Sequence, residues 1–388
     1  MAFTTLPGSA ATDAASLIGT SGIDIATVAS QPTGLFLNAE DANDFITFSK
    51  AGSGYTVLGG QGEDSISAEP ALTGSIVNGN IGADVIVLTT LDTSAVYGGK
   101  QNDTLISATL TSSSVNGNIG ADAVTVTSGL SASQVYGGKD NDTLTVGGVI
   151  SSSSVNGDIG NDTINLNVAT LENGSSVQGG LNDDTITLTG VNVFSSDSSV
   201  FGGQGNDTIN LVNSTAGAVI YGDNDNDTIT GGTGADNITV GAGNDRLNYA
   251  IGLTGGLAAL VDTITDFEVG TNVVDFTDLT NATLRGTGAG YEVVAAGANA
   301  VNANTGLVEQ NGDLGNLLVA TALAAANTMT GWAAGDIVYF LGTNGTDTAL
   351  YRMSETTGNT TLDSAVLVAT FTGVDETTFT AADFADFA

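Results

Sequence analysis

The chain has 388 residues, with 54 glycines, no cysteine, no histidine, and 42 acidic residues against 6 basic ones, for a net charge of −36. Hydrophobic residues make up 41% of it, which is material for a core rather than the composition of a disordered polyanion. The charge excludes nucleic acid, which needs a basic face, and makes anionic membranes poor partners; the missing His and Cys exclude a Ser-His-Asp triad, an HExxH zinc site, thiol catalysis and disulfides.

Residues 1–16 are rich in Ala, Thr and Ser and read as an N-terminal arm or cap. No Sec-type signal peptide is expected, because the first basic residue is Lys50 and Ala10 to Ile18 is a poor apolar stretch. The longest apolar run, Leu317 to Ala326, falls far short of the ~20 residues of a membrane helix, so no membrane insertion is expected.

From residue 17 to 248 the chain repeats. Glycine-rich turns end in Asp24, Asp44, Asp64, Asp84, Asp103, Asp122, Asp142, Asp162, Asp184, Asp207, Asp227, Asp236 and Asp245. The first eleven are 19 to 23 residues apart and the last three are 9 apart. A fixed period of that length is a solenoid signature. After each aspartate apolar residues alternate, as in Ile86 and Leu88, Leu144 and Val146, or Ile164 and Leu166. That is the period of a strand with one buried face. Seven residues before most of these aspartates stands another β-branched residue: Val77, Val96, Val115, Val135, Val155, Val177, Val200 and Ile220. A polar run such as Ser112 to Ser114 precedes it.

One repeat therefore reads as strand, polar turn, strand, glycine turn. The fold class expected is all-β: a parallel β-roll or β-solenoid of ~20-residue coils, with a smaller, mainly β C-terminal domain after it. Twelve or so stacked coils would span roughly 55–60 Å. A longer period pairs the coils, with Asn78, Asn116 and Asn156 alternating with Tyr97 and Tyr136. These read as surface ladders that stabilise the stack. Residues 249–388 read as a capping or assembly domain. In it, 317–327 suggests a short helix, and 336–342, 349–354 and 365–373 suggest antiparallel strands.

The hexad G-G-x-G-x-D followed by x-U-x, with U a large apolar residue, occurs in full at 59–64, 202–207 and 231–236, and several copies miss by one glycine. In this the chain resembles the RTX (repeats-in-toxin) family, whose nonapeptide binds calcium. The segment DTITDFEVGTNVVDFTDL at 262–279 also resembles the stretch immediately C-terminal to the repeats in many members. The resemblance implies multiple Ca2+ ions as cofactor, held by the thirteen aspartates together with Gly59, Gly202 and Gly231 at the heads of the full copies.

Charge points the same way. Two aspartates ~4.8 Å apart repel by roughly 0.9 kcal/mol even in water, and a hard cation with six to eight oxygen ligands relieves this. Turn-capping Asx hydrogen bonds would also explain an Asp at each turn, but not the surrounding glycines and the charge together. The nine-residue spacing that places sites on both edges survives only at Asp227, Asp236 and Asp245, so elsewhere ions are expected along one edge. Lys100 and Lys139 fall inside the hexad, where an ammonium could replace a calcium or simply face solvent.

The reading of function is a non-enzymatic, secreted, calcium-binding structural protein that self-assembles into a filament or S-layer-like lattice. The alternative is a monomeric secreted calcium-binding adhesin or glycan-binding module. The family resemblance implies export by the type I secretion machinery, and the ending TFTAADFADFA at 378–388 resembles its uncleaved signal. Expected partners are the chain itself and that machinery, with a cell-surface glycan added under the alternative reading.

Overall fold

The computed structural model of the chain describes residues 16–248, apart from 29–32, 192 and 212–213. Beyond these it describes 261–275, 290–295, 305–311, 314, 317–329, 332, 337–355, 357, 361–374 and 379–384. The chain falls into two compact units, 1–208 and 209–388. The expected N-terminal arm lies almost wholly outside the described residues.

The first unit is a parallel β-solenoid with two faces. One face is built from short strands in register, such as Thr56–Gln61, Ile76–Ile81, Ala95–Lys100, Ser114–Ile119, Gln134–Lys139, Ser154–Ile159, Ser176–Leu181 and Ser199–Gln204. The other carries longer strands, among them Val85–Asp92, Thr104–Thr111, Ala123–Ser131, Thr143–Ser151 and Thr163–Glu172. The coils cross from the first face to the second through the glycine-aspartate turn, and from Ser75 onward they return through a serine turn, with Leu35 and Tyr55 at the equivalent position in the first two.

In-register parallel pairing stacks like on like. Val57, Val77, Val96, Val115, Val135, Val155, Val177 and Val200 form one buried column, each 3% exposed or less. Ile46, Ile66, Ile86, Leu105, Val124, Leu144, Ile164 and Ile186 face them from the other sheet. Burying each such side chain contributes about 1.5–3 kcal/mol, and the column makes that contribution once per coil.

The two-coil period has a backbone cause. Asn78 and Asn116 accept through Oδ1 from the N–H of Asn80 (2.9 Å) and Asn118 (2.8 Å), and Asn156 does so for Asp158 (3.1 Å). Asn80, Asn118 and Asp158 hold φ of 77°, 80° and 76°, which strains an L-residue and calls for a local partner. In the intervening coils the same position is Gly99 or Gly138, which takes φ of 127° or 121° freely, so no Asn is required and Tyr97 or Tyr136 stands there.

The opposite turn holds a second device. Ser75, Ser94, Ser113, Ser133, Ser153, Ser175 and Ser198 are buried in one column. The N–H of each donates to the Oγ of the next at 2.9–3.2 Å. Ser94, Ser113, Ser133 and Ser153 in turn donate their own hydroxyl to the carbonyl two residues back, at 2.7–2.8 Å.

In the second unit parallel pairing runs past residue 248. Asp262–Thr265 pairs with Asn237–Thr239, and Val273–Asp275 with Arg246–Asn248, so the segment after the repeats is itself wound as a coil. Ile337–Thr343, Thr348–Ser354 and Ser364–Phe371 form the expected antiparallel sheet, and the helix occupies Val319–Ala326. Trp332, Met329, Phe340 and Tyr351 make its core. In the signal-like ending, residues 379–384 are described: Phe379 and Phe384 pack with their rings tilted, and Phe379 also packs on Phe267 and Phe371.

Candidate metal centre

The glycine turn places its aspartate at the mouth of the second-face strand, pointing into the stack. All the expected aspartates are buried, each 2% exposed or less. In the first unit they form a ladder: each backbone N–H donates to the Oδ1 of the next coil's aspartate. The distances are 2.6 Å from Asp24 to Asp44, 2.8 Å from Asp44 to Asp64, and 2.7 Å at every step from Asp64 through Asp84, Asp103, Asp122, Asp142, Asp162 and Asp184 to Asp207.

One oxygen of each carboxylate is thereby satisfied. The other, Oδ2, is buried without a hydrogen-bond partner in Asp44, Asp64, Asp84, Asp103, Asp122, Asp142, Asp162 and Asp184. It is aimed at the glycine that opens the hexad. A Cβ on Gly59 would lie 2.4 Å from Asp64 Oδ2 and 2.6 Å from the carbonyl oxygen of Gly79, one coil on. The arrangement recurs at Gly98 (2.5 Å from Asp103 Oδ2, 2.7 Å from Gly117 O), at Gly137 (2.5 Å from Asp142 Oδ2, 2.6 Å from Gly157 O) and at Gly179 (2.4 Å from Asp184 Oδ2, 2.5 Å from Gly202 O). The first glycine of the hexad is thus a cradle in which a carboxylate oxygen and the next coil's carbonyl converge. Expected site residues Gly59 and Gly202 both belong to it, Gly59 as floor and Gly202 through its carbonyl.

A buried anionic oxygen without a partner is costly, and its titration reflects that. Burial, opposed by the backbone hydrogen bond and reinforced by neighbouring carboxylates, pushes Asp64 and Asp103 up to about 7 and Asp142 and Asp184 to about 8. Burial likewise raises Asp84, Asp122 and Asp162 to about 6. A hard divalent cation fits what is present: carboxylate and carbonyl oxygens, no nitrogen or sulfur, in turns of flexible geometry. Among the described residues no three Asp, Glu, His or Cys side chains cluster around one point, so backbone carbonyls must supply part of the ligand set. Asp64 Oδ2 with Gly79 O, and their equivalents coil by coil, are the donors that would hold the ion. The ion supplies the positive charge that the buried column lacks.

The aspartates are not equivalent. Asp24 Oδ2 accepts from the N–H of Thr20 at 2.6 Å and also from its hydroxyl at 3.2 Å. Asp236 Oδ2 accepts from Gly232 N–H at 2.9 Å, beside Gly231, and Asp245 Oδ2 from Asn272 Nδ2 at 2.7 Å. These three have protein donors on both oxygens, a distinction invisible in the repeat pattern. In the second unit the nine-residue spacing does place aspartates on both edges. Asp227 N–H donates to Asp245 Oδ1 at 3.0 Å, while Asp236 accepts from Ala218 N–H at 2.8 Å and donates to Asp262 Oδ1 at 2.9 Å. Asp262 continues this second ladder and was not among the expected residues, because no glycine hexad precedes it.

Lys100 and Lys139 are not stand-ins for a cation. Both are exposed on the outer row of the first face, in register with Ile81, Ile119 and Ile159. Strand alternation from Val96 and Gly98, or from Val135 and Gly137, would aim them inward, but Gly99 and Gly138 at φ of 127° and 121° interrupt the pleat just before them; both lysines are exposed, and neither makes an ion pair among the described residues.

The family model of the RTX calcium-binding nonapeptide repeat, in four copies, matches residues 195–211 and 219–252. No curated protein shows a significant match to the chain. Among solved structures, the chain is similar to a hyperactive, Ca2+-dependent, β-helical antifreeze protein from an Antarctic bacterium. The two are 19% identical with a TM-score of 0.41, over 68% of this chain and 88% of that one. Over those two stretches the chain carries RTX calcium-binding nonapeptide repeats, and the buried carboxylate ladder offers the oxygen donors for multiple Ca2+ ions.

Proposed function

We propose that this protein is a non-catalytic, extracellular structural protein, exported unfolded by the type I secretion machinery, whose coils form on meeting calcium and then assemble into a filament or lattice. The observation that carries the reading is the column of partnerless Oδ2 atoms from Asp44 to Asp184. Inside a cell, where free calcium is scarce, that column opposes folding; outside, millimolar calcium neutralises it and drives the chain into its coils. No helix among the described residues is long and apolar enough to cross a membrane.

Assembly draws on the first described coil. It presents Ile18, Ile23 and Ile25 at 59%, 61% and 52% exposure, a concentration of apolar surface. Contacts between such a patch and a different surface of another copy do not close on themselves and generate chains or sheets. Negative-stain electron microscopy of the purified chain tests this. Ordered filaments or sheets in millimolar calcium and none in chelator are expected; dispersed particles in calcium at high concentration would remove the assembly role.

A further inference from the structure

A trough of about 1050 Å³ runs along the outer side of the first face, from the strand Ile76–Ile81 to the strand Ser176–Leu181. Gly99 and Gly138 leave its floor bare in every second coil. One register row along it reads Ile81, Lys100, Ile119, Lys139, Ile159, with the three isoleucines 39%, 41% and 43% exposed. Two of the chain's 6 basic residues therefore sit on this strip, two coils apart.

The polar chemistry of the strip is one-sided. Lys100 and Lys139 make no side-chain hydrogen bond or ion pair among the described residues. Asn78 and Asn116 have Oδ1 taken by backbone N–H groups, which leaves their Nδ2 as donors toward the trough. Asp140, exposed beside Lys139, and Asp158, bonded by Asn156 Nδ2, mark the negative end of the strip. The stretch from Asn78 to Lys139 thus offers donors and cations, with apolar Ile119 between the two ammonium groups.

Its ligand must be linear, rich in acceptors, and negatively charged at an interval of two coils, roughly 9.6 Å. An extended polypeptide is out of step, since its side chains recur on one face every ~6.6–6.8 Å. A β-linked glycan with one acid group per disaccharide is in step, and its sugar rings present C–H faces to the isoleucines. We propose that the trough binds a linear acidic polysaccharide bearing one negative group per disaccharide, with Lys100 and Lys139 each taking one. This binding is independent of self-assembly.

The test uses the full chain folded in millimolar calcium, with sodium hyaluronate as the probe and dextran as the neutral comparator, read by isothermal titration calorimetry. Binding to hyaluronate and not to dextran is expected, weakening as salt is raised. The Lys100→Gln/Lys139→Gln variant should bind about tenfold more weakly, while Lys50→Gln, outside the trough, should match the parent. Circular dichroism in calcium checks that the variants share the parent fold. Equal hyaluronate binding by parent and double variant, as calcium bridging would produce, overturns the proposal. So does absence of binding by the parent, or loss of self-association in the double variant without any glycan, which would assign the strip to a contact between copies.

Discussion

The two edges of the first unit solve one problem with different side chains. At each turn a buried backbone N–H must find an acceptor, and on both edges that acceptor is a side-chain oxygen from the next coil, as in Asp122 to Asp142 on one edge and Ser113 to Ser133 on the other. Serine brings its own proton. Ser133 Oγ accepts one bond and donates another, to the Ser131 carbonyl at 2.8 Å, so the turn is self-sufficient. Aspartate brings a second lone-pair oxygen and a charge instead, and Asp142 Oδ2 finds no protein donor. The serine edge is a permanent seam, whereas the aspartate edge is complete only with a cation or a proton.

Chelation should break the comparison most sharply. At pH 8 in chelator the β signal in circular dichroism should be lost, and millimolar calcium should restore it. The proton substitutes in a direction set by the raised carboxyls. A group whose folded pKa lies above its ordinary 3.8 favours the fold while protonated. That contribution is lost as pH rises toward and through about 6 to 8, the range spanned by Asp84 and Asp142. In chelator the chain should therefore be more ordered at pH 5 than at pH 8; a flat profile would contradict the buried column.

Filling one cradle comes next. Gly137→Ala puts a methyl 2.5 Å from Asp142 Oδ2 and 2.6 Å from Gly157 O, and should cost about 1–3 kcal/mol and raise the calcium midpoint for folding. Asp142→Asn and Ser133→Ala then separate the edges directly. The Asn keeps the ladder acceptor and adds a donor for the orphaned position. Its variant should gain about 1–2 kcal/mol in chelator at pH 6 yet lose calcium stoichiometry in calorimetry. Ser133→Ala removes one acceptor and one donor and should cost about 1–3 kcal/mol equally with and without calcium. The smallest effect is expected from Ala132→Gly. Ala132 holds φ of 50° just before its serine, and relief of that strain should raise the melting temperature by an amount equivalent to about 0.5–1 kcal/mol.

Much of this was legible in the chain. Ile86 and Leu88 alternate as a half-buried strand must, and Val77 to Val200 recur in phase, so coil length, strand placement and the aspartate column come from periodicity alone. The serine column read only as a polar turn, since Ser112, Ser113 and Ser114 look alike until stacking selects the middle one. Nor could the hexads show that Asp24, Asp236 and Asp245 are supplied by Thr20, Gly232 and Asn272, while Asp64 or Asp142 is not.

The sequence by itself determined the repeat, its two strand faces and the residue types at each turn, because these depend on local periodicity and on which residues tolerate positive φ. Only the tertiary structure decided which oxygen is left over, where Lys100 and Lys139 point, and that Asp262 extends a ladder beyond the last hexad. Asp24 and Asp236 are met from within their own turns by Thr20 and Gly232, whereas Asp245 meets Asn272 and Asp236 meets Asp262 only because winding brings residues 26–27 positions apart together. Side-chain satisfaction is therefore set by the folded turn and the stack, not by the repeat pattern.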